Sequence, residues 1–189
     1  MPLEQLTRER VVEALSLLGR KAAEANVELE MCIYGGSAMM LAYDSRESTK
    51  DEDAIVKPSD IALRLAKEVA NQLGLHESWL NDDVKRFVSD LGTFAPLQIA
   101  ELESAAKHLK ITRASASYLL AMKCLACRSP LPGYSGDVED IRFLISKMGV
   151  RTLEQIDEHI ARFYPQEALA IEARRIIGQL LPGQDGGAT

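Results

Sequence analysis

An apolar run ending in two glycines and a serine, Ile33-Tyr34-Gly35-Gly36-Ser37, is followed after a short gap by two acids one residue apart, Asp51 and Asp53. This pairing constrains the chain more than anything else in it. The first segment reads as a strand over 28–34 that enters a glycine turn and then a helix over 36–43. The second reads as a strand over 51–56, ended by Pro58. Side chains alternate along a strand, so Asp51 and Asp53 are expected to share one face.

That arrangement suits a triphosphate and a divalent cation. Magnesium takes oxygen ligands, commonly one or two carboxylates with substrate phosphates completing its shell. A pair of such ions about 3.5–4 Å apart clamps the attacking and leaving oxygens of an in-line displacement. Gly35 and Gly36 let backbone approach a phosphate closely. The first amides of the next helix point at the anion with the helix dipole behind them. Ser37 is expected to add a hydroxyl donor and to cap that helix. Plainer readings stand beside these: Gly-Gly-Ser is often only a turn, and two acids at a strand end are often only solvated surface.

The 189 residues suffice for one domain, or for one domain with a small helical part. With 47% hydrophobic and 26% charged residues, an ordinary globular composition is indicated. No run of about 18 apolar residues exists, so no membrane span is expected. The start, Met1-Pro2-Leu3-Glu4-Gln5, has neither basic residues nor an apolar core; no secretory signal is expected, and a cytoplasmic location is. A net charge of −6 argues against a broad, sequence-independent grip on nucleic acid but allows local docking of an RNA end. Cys32, Cys124 and Cys127 are too few for a disulfide scaffold. Cys124 and Cys127 form a C-x-x-C inside an apolar helical stretch, which reads as packing rather than as half of a zinc site.

Elsewhere, helical spacing predicts a first helix over 4–25, and Ser59 is the expected N-cap of a helix to about residue 73 with Gly74 as its stop. Trp79-Leu80-Asn81-Asp82-Asp83-Val84-Lys85 reads either as a capped helix start with Trp79 packed inside or as a segment near a nucleotide. Residues 97–99 and 109–111 alternate weakly and suggest two short strands. A helix over 115–127 carries one lysine, Lys123, among apolar residues; its stem could lie on the core, or its ammonium could neutralise a phosphate. Residues 129–136 read as a loop. A helix over 137–148 opens on Asp137, with Asp140 one turn on, within reach of Lys123. Two more helices are expected over 154–163 and 166–181, before a glycine-rich tail expected to be disordered over 182–189.

The Gly-Gly-Ser and Asp-x-Asp segments resemble the signature of the polymerase-beta-like minimal nucleotidyltransferases. The closer resemblance is to bacterial abortive-infection (AbiEii-like) toxin-type members. Their Arg–Ser/Thr–x–Asp–x–Asp stretch is matched by Arg46, Ser48, Thr49, Lys50, Asp51 and Asp53; their Tyr-Leu-Leu-Ala-Met-Lys helix by Tyr118 to Lys123; their Asp-x-x-Asp-Ile segment by Asp137, Asp140 and Ile141. The Trp-Leu-Asn-Asp segment at Trp79 to Asp82 also has counterparts.

The resemblance spans roughly residues 28–165 and implies an α/β (α+β) fold. A nucleotidyltransferase core over 1–113, with a short mixed sheet flanked by helices, would be followed by a helical part over 114–181 completing the active-site cleft. It implies a magnesium-dependent transfer of a nucleoside monophosphate from a nucleoside triphosphate to a hydroxyl on a tRNA end or a protein side chain, with an antitoxin as partner. Asp51 and Asp53 would hold two magnesium ions. Lys123 and Asp137 would be catalytic. Gly35, Gly36, Ser37, Arg46, Thr49, Asn81, Lys85 and Asp140 would bind nucleotide.

Two positions depart from the pattern. Glu52 stands where an apolar residue is usual, so that strand face is either open or brings Glu52 a cation. Gly136 stands where an arginine is common. Many such enzymes place a third carboxylate on a later strand; Glu101 and Glu103 qualify by position only, and an exposed turn explains them equally well. The alternatives are a non-catalytic binding module on the same fold, or a zinc protein built on the C-x-x-C.

Overall fold

The computed structural model describes residues 5–50, 52–102, 107–128 and 136–182. The fold is mixed α/β, with a five-stranded mixed sheet flanked by helices. The chain divides into two compact units. One takes residues up to Arg86 together with Phe94–Ala114, and the other takes Phe87–Thr93 with the residues from Ser115 onward.

In the first unit, β1 (Leu6–Thr7) runs into α1 (Arg8–Glu24). The helix begins later than its periodicity suggests because Leu6 and Thr7 pair antiparallel with Thr49 and Ser48 of β3 (Ser48–Thr49). Thr7 then caps it, accepting from the Arg10 amide at 3.4 Å. Val11, Leu15, Leu18 and Ala22 recur at helical spacing and are buried. The remaining elements are β2 (Leu29–Ile33), α2 (Gly35–Tyr43), β4 (Glu52–Lys57), α3 (Ser59–Leu73), β5 (Leu80–Asn81), β6 (Phe94–Pro96) and β7 (Leu109–Ala114). Pro58, not Ser59, is the N-cap of α3: Ser59 is already helical, and no side chain caps the helix. Gly74 closes α3 in the left-handed region, φ +68°.

The strand order is β5-β4-β2-β7-β6. Strand β2 pairs antiparallel with β4 and parallel with β7, β4 pairs parallel with β5, and β6 pairs antiparallel with β7. Leu29, Met31 and Ile33 of β2 line up with Leu109 and Ile111 of β7 and with Val56 and Ala54 of β4 to form the buried face. Burying each large aliphatic side chain is worth about 1.5–3 kcal/mol. A one-residue slip of β2 would bury Glu30 instead, so the register is strongly specified. On the other face Cys32, Ile55 and Thr112 are half-buried, and Glu30, Lys57 and Lys110 are exposed. Asp53 belongs to this second face.

The strand expected over 97–99 forms instead at Phe94–Pro96. Phe94 packs edge-on against Tyr34 with ring centroids 6.1 Å apart. Leu97 returns one hydrogen bond to the Ile111 carbonyl, at 3.0 Å. The chain then turns through the 3₁₀ segment Ala100–Leu102, burying Ile99 and Leu102.

In the second unit, α4 (Ala116–Ala126) is capped by Ser115, whose hydroxyl accepts from the Tyr118 amide. It is followed by α5 (Gly136–Met148), α6 (Leu153–Phe163) and α7 (Ile171–Leu180). A reciprocal capping box between Thr152 and Gln155 starts α6. Helix α7 begins later than residue 166, because the chain first turns at Tyr164 (Glu167 amide to Tyr164 carbonyl, 3.0 Å) and buries Leu169. The segment Phe87–Thr93 is sewn to these helices. Its Ser89 amide donates to the Tyr118 hydroxyl at 2.6 Å, the Ser89 hydroxyl donates to the Phe163 carbonyl, and the Tyr164 hydroxyl donates to the Phe87 carbonyl at 2.7 Å. Residues 183–189 and most of the expected loop, 129–135, lie outside the described residues. No helix among the described residues is long and apolar enough to cross a membrane.

Candidate functional site

The glycine turn is held from two sides. The Tyr34 amide, at the end of β2, donates to the Asp53 carbonyl at 2.9 Å, tying β4 to the residue before the turn. Gly35 then takes φ +54°, the left-handed region that glycine alone adopts without cost. A Cβ at Gly35 would lie 2.6 Å from Asp53 Oδ2, closer than real Cβ contacts come. A Cβ at Gly36 would lie 2.6 Å from Thr49 Oγ1 and 2.8 Å from Arg46 Nη1. The turn lacks side chains because three others close over it.

Local chemistry explains how they arrive there. Helix α2 ends at Tyr43, and Asp44 takes a left-handed conformation at φ 51°. Ser45 then returns both its amide (3.1 Å) and its hydroxyl (2.9 Å) to the Met39 carbonyl, so the chain doubles back. Arg46 follows, and the β1–β3 pairing fixes Thr49, which is 5% exposed. The result is one carboxylate, one guanidinium and one hydroxyl around the N-terminus of α2, a composition suited to a phosphate with a cation beside it.

The sequence-predicted residues are placed as follows. Gly35, Gly36, Arg46, Thr49 and Asp53 come together. Asp51 lies outside the described residues, so the shared face of the two acids is established for Asp53 alone. Ser37 does not cap α2: the cap position is Tyr34, no side chain serves it, and Ser37 is fully buried in the first turn. Glu52 points to the core side and is fully buried, so an open strand face does not explain it.

Trp79 to Asn81 is not a helix start. Trp79 is buried with its indole N–H on the Ala66 carbonyl of α3 at 2.9 Å, Leu80 and Asn81 form β5, and Asp83–Arg86 is a 3₁₀ turn. Asn81 sits beside Asp53 in the β4–β5 register. Lys85 does not reach the turn; its ammonium is on the surface, 3.8 Å from Asp82. Glu101 is half-exposed and pairs with Arg8 at 2.6 Å, whereas Glu103 lies outside the described residues. Strand β7 itself, Leu-Lys-Ile-Thr-Arg-Ala, carries no acid.

Within the second unit, Lys123 of α4 is nearly buried. Its ammonium lies 2.7 Å from Asp140 and 3.3 Å from Asp137, both on α5. Asp140 is only 2% exposed. Burial drives the Cys124 thiol pKa upward; Cys127 is raised by burial and then by the charges of Asp137 and Glu172. Both therefore stay thiols at neutral pH, the form that neither attacks nor binds zinc well. Among the described residues, no group of three or more His, Cys, Asp or Glu side chains is placed to hold a metal ion.

Two pairings have no trace in the linear pattern. The Arg113 guanidinium lies 4.8 Å over the Tyr43 ring and donates to its hydroxyl. Ser117 Oγ meets His159 Nδ1 at 2.8 Å across 42 residues of chain. Burial, then the Arg162 charge, holds the His159 pKa below its ordinary value.

Comparison with protein-family models, curated proteins and solved structures gave no match to this chain.

Proposed function

We propose that the chain is a magnesium-dependent nucleotidyltransferase that moves a nucleoside monophosphate from a nucleoside triphosphate to an acceptor hydroxyl. The observation that carries this reading is the closure of Asp53, Arg46 and Thr49 over Gly35 and Gly36, to within 2.6–2.8 Å of where Cβ atoms would stand. A purely structural turn has no need of a carboxylate and a guanidinium together at a helix N-terminus on a half-exposed sheet face. Magnesium suits this donor set: the Asp53 carboxylate is a hard oxygen ligand, and Asp51, two residues earlier, would be the second. When bound, the ion supplies charge neutralisation at the phosphates.

The chain's own residues orient the substrate. Arg46 faces the phosphates with a fork of donors that matches their oxygens. The first amides of α2 offer further donors, and Gly35 and Gly36 admit the phosphate to them. The acceptor hydroxyl attacks the α-phosphorus and gives up its proton to water; the new P–O bond forms as the bond to the bridging oxygen breaks and pyrophosphate leaves. The acceptor class, a tRNA end or a protein side chain, and an antitoxin partner are carried by the resemblance, as are the roles of Lys123, Asp137 and Asp140.

A second reading is favoured by one observation: strand β7 offers no third carboxylate. On that reading the fold is a non-catalytic binding module. Incubation with α-labelled triphosphates, magnesium and a cell extract separates the two. Labelled product that disappears in Asp53→Asn supports the enzyme. No labelled product, alongside a tightly co-purifying protein, supports the module.

A further inference from the structure

Two serines of this chain meet a histidine ring nitrogen, in different settings. Ser78 Oγ lies 2.7 Å from His76 Nδ1, two residues away in an exposed connection. That nitrogen also accepts the Ser78 amide at 3.2 Å, so its lone pair is committed to the backbone. Ser117 Oγ lies 2.8 Å from His159 Nδ1, and among the described residues no backbone amide shares that nitrogen. Helix α4 brings the hydroxyl and helix α6 the ring, so packing within the second unit makes this pair, not a local turn.

Both side chains are half-buried, so the pair is reachable from solvent. Burial and then Arg162 keep the ring neutral at pH 7, against the smaller opposing pull of Glu158. A neutral ring that accepts at Nδ1 carries its proton on Nε2 and is ready to act as a base. Ser117 also lies in the first turn of α4, where amides have no intrahelical acceptor. The Ser115 amide goes to the Thr93 carbonyl at 2.8 Å, and the Tyr118 amide to the Ser115 hydroxyl at 3.2 Å. The amides of Ala116 and Ser117 remain, and among the described residues neither meets an acceptor beyond its own helix. They offer two donors beside the hydroxyl for a developing oxyanion.

We propose that Ser117 is a nucleophile with His159 as its base, and that the pair opens small carboxylic esters. Ser117 Oγ attacks the ester carbonyl carbon while its proton passes to His159 Nδ1. The tetrahedral intermediate collapses, and the alcohol leaves with that proton. Water then attacks the acyl carbon, gives a proton to Nδ1, and the serine oxygen takes it back as the acid departs. Among the described residues no carboxylate is hydrogen-bonded to the ring, so the pair lacks the third group that amide cleavage uses; an ester with a good leaving group fits it better.

The full chain is treated, without nucleotide or metal, with an alkyl fluorophosphonate, whose phosphorus bonds a serine oxygen as fluoride leaves and the hydroxyl proton passes through the histidine to water. The expected result is one adduct by intact mass, mapped to Ser117 and formed at least about 10²-fold faster than any at Ser78. Ser117→Ala should abolish it. His159→Gln keeps a hydrogen-bonding group toward Ser117 but no base, and should slow labelling by about 10²-fold. Release of p-nitrophenolate from p-nitrophenyl acetate should fall in the same two variants. No adduct at Ser117, equal rates at Ser117 and Ser78, an unchanged rate in His159→Gln, or an adduct without ester turnover would each overturn the proposal. If a variant does not fold, the wild-type comparison of Ser117 with Ser78 and the ester turnover decide. These outcomes are independent of nucleotidyl transfer, so either reading can fail alone.

Discussion

Gly35→Ala should cost more than any other single-methyl addition at a left-handed glycine of the sheet unit, and the structure contains its own control. Gly35 and Gly74 share the left-handed region, at φ +54° and +68°, but a Cβ at Gly74 meets nothing within 4 Å, whereas one at Gly35 meets Asp53 Oδ2 at 2.6 Å. Placing an L-residue in that region costs about 1–2 kcal/mol. Alanine also restricts the unfolded chain, which returns about 0.4–1 kcal/mol. Gly74→Ala should therefore lower stability by about 1 kcal/mol net. Gly35→Ala carries the same backbone cost plus overpacking, typically about 1–3 kcal/mol, for a total near 2–4 kcal/mol. The difference between the two variants isolates the cost of moving Asp53.

Urea unfolding followed by fluorescence suits the comparison, because the one tryptophan, Trp79, is buried in the same unit as both glycines. If the chain transfers nucleotide as proposed, Gly35→Ala should also lower that transfer by about 10²-fold, the typical effect of a 1 Å misplacement at a reacting centre. Gly74→Ala should retain it. If Gly35→Ala is no less stable than Gly74→Ala and labels product normally, the close approach of Asp53 to the turn is wrong.

Three further outcomes are expected. Lys123→Met leaves Asp137 and the 2%-exposed Asp140 without the ammonium at 3.3 and 2.7 Å. Urea unfolding should show a loss of about 3–5 kcal/mol, and a loss below about 1 kcal/mol would contradict the buried ion cluster. Glu101→Gln should change neither labelled product nor thermal midpoint measurably, because Glu101 is a surface partner of Arg8; a large loss of transfer would make it the missing third acid. His159, whose pKa lies below its ordinary 6.5, is harder to protonate folded than unfolded. Its contribution to stability is therefore complete above about pH 6.5 and is lost as pH falls through the window beneath, so thermal midpoints should decline there, less steeply in His159→Gln.

The elements best read in advance are those whose own residues dictate them. The 3.6-residue spacing of Val11, Leu15, Leu18 and Ala22 makes α1, and the alternation of Leu29, Met31 and Ile33 makes β2. The misplaced boundaries had distant causes. Leu6 and Thr7 leave the helical pattern to pair with residues more than forty positions away. The strand expected over 97–99 moved to Phe94–Pro96, where the pairing with β7 and the packing of Phe94 on Tyr34 decide. Around the candidate site, Gly35, Gly36, Arg46, Thr49 and Asp53 were legible because they lie within one short stretch of chain. Lys85 was not, since its distance from the turn depends on how β5 leads into a 3₁₀ turn.

Residue type and local order alone determined that this chain would present a glycine turn, a helix start and a nearby acid, because backbone freedom at glycine and alternation along a strand act over a few residues. The fold alone decided which side chains close over that turn, that Glu52 is buried and Asp53 is not, and that Asn81 stands at Asp53's side. Those outcomes depend on register between strands, and register is set by burial summed over a whole sheet face rather than by any residue in it.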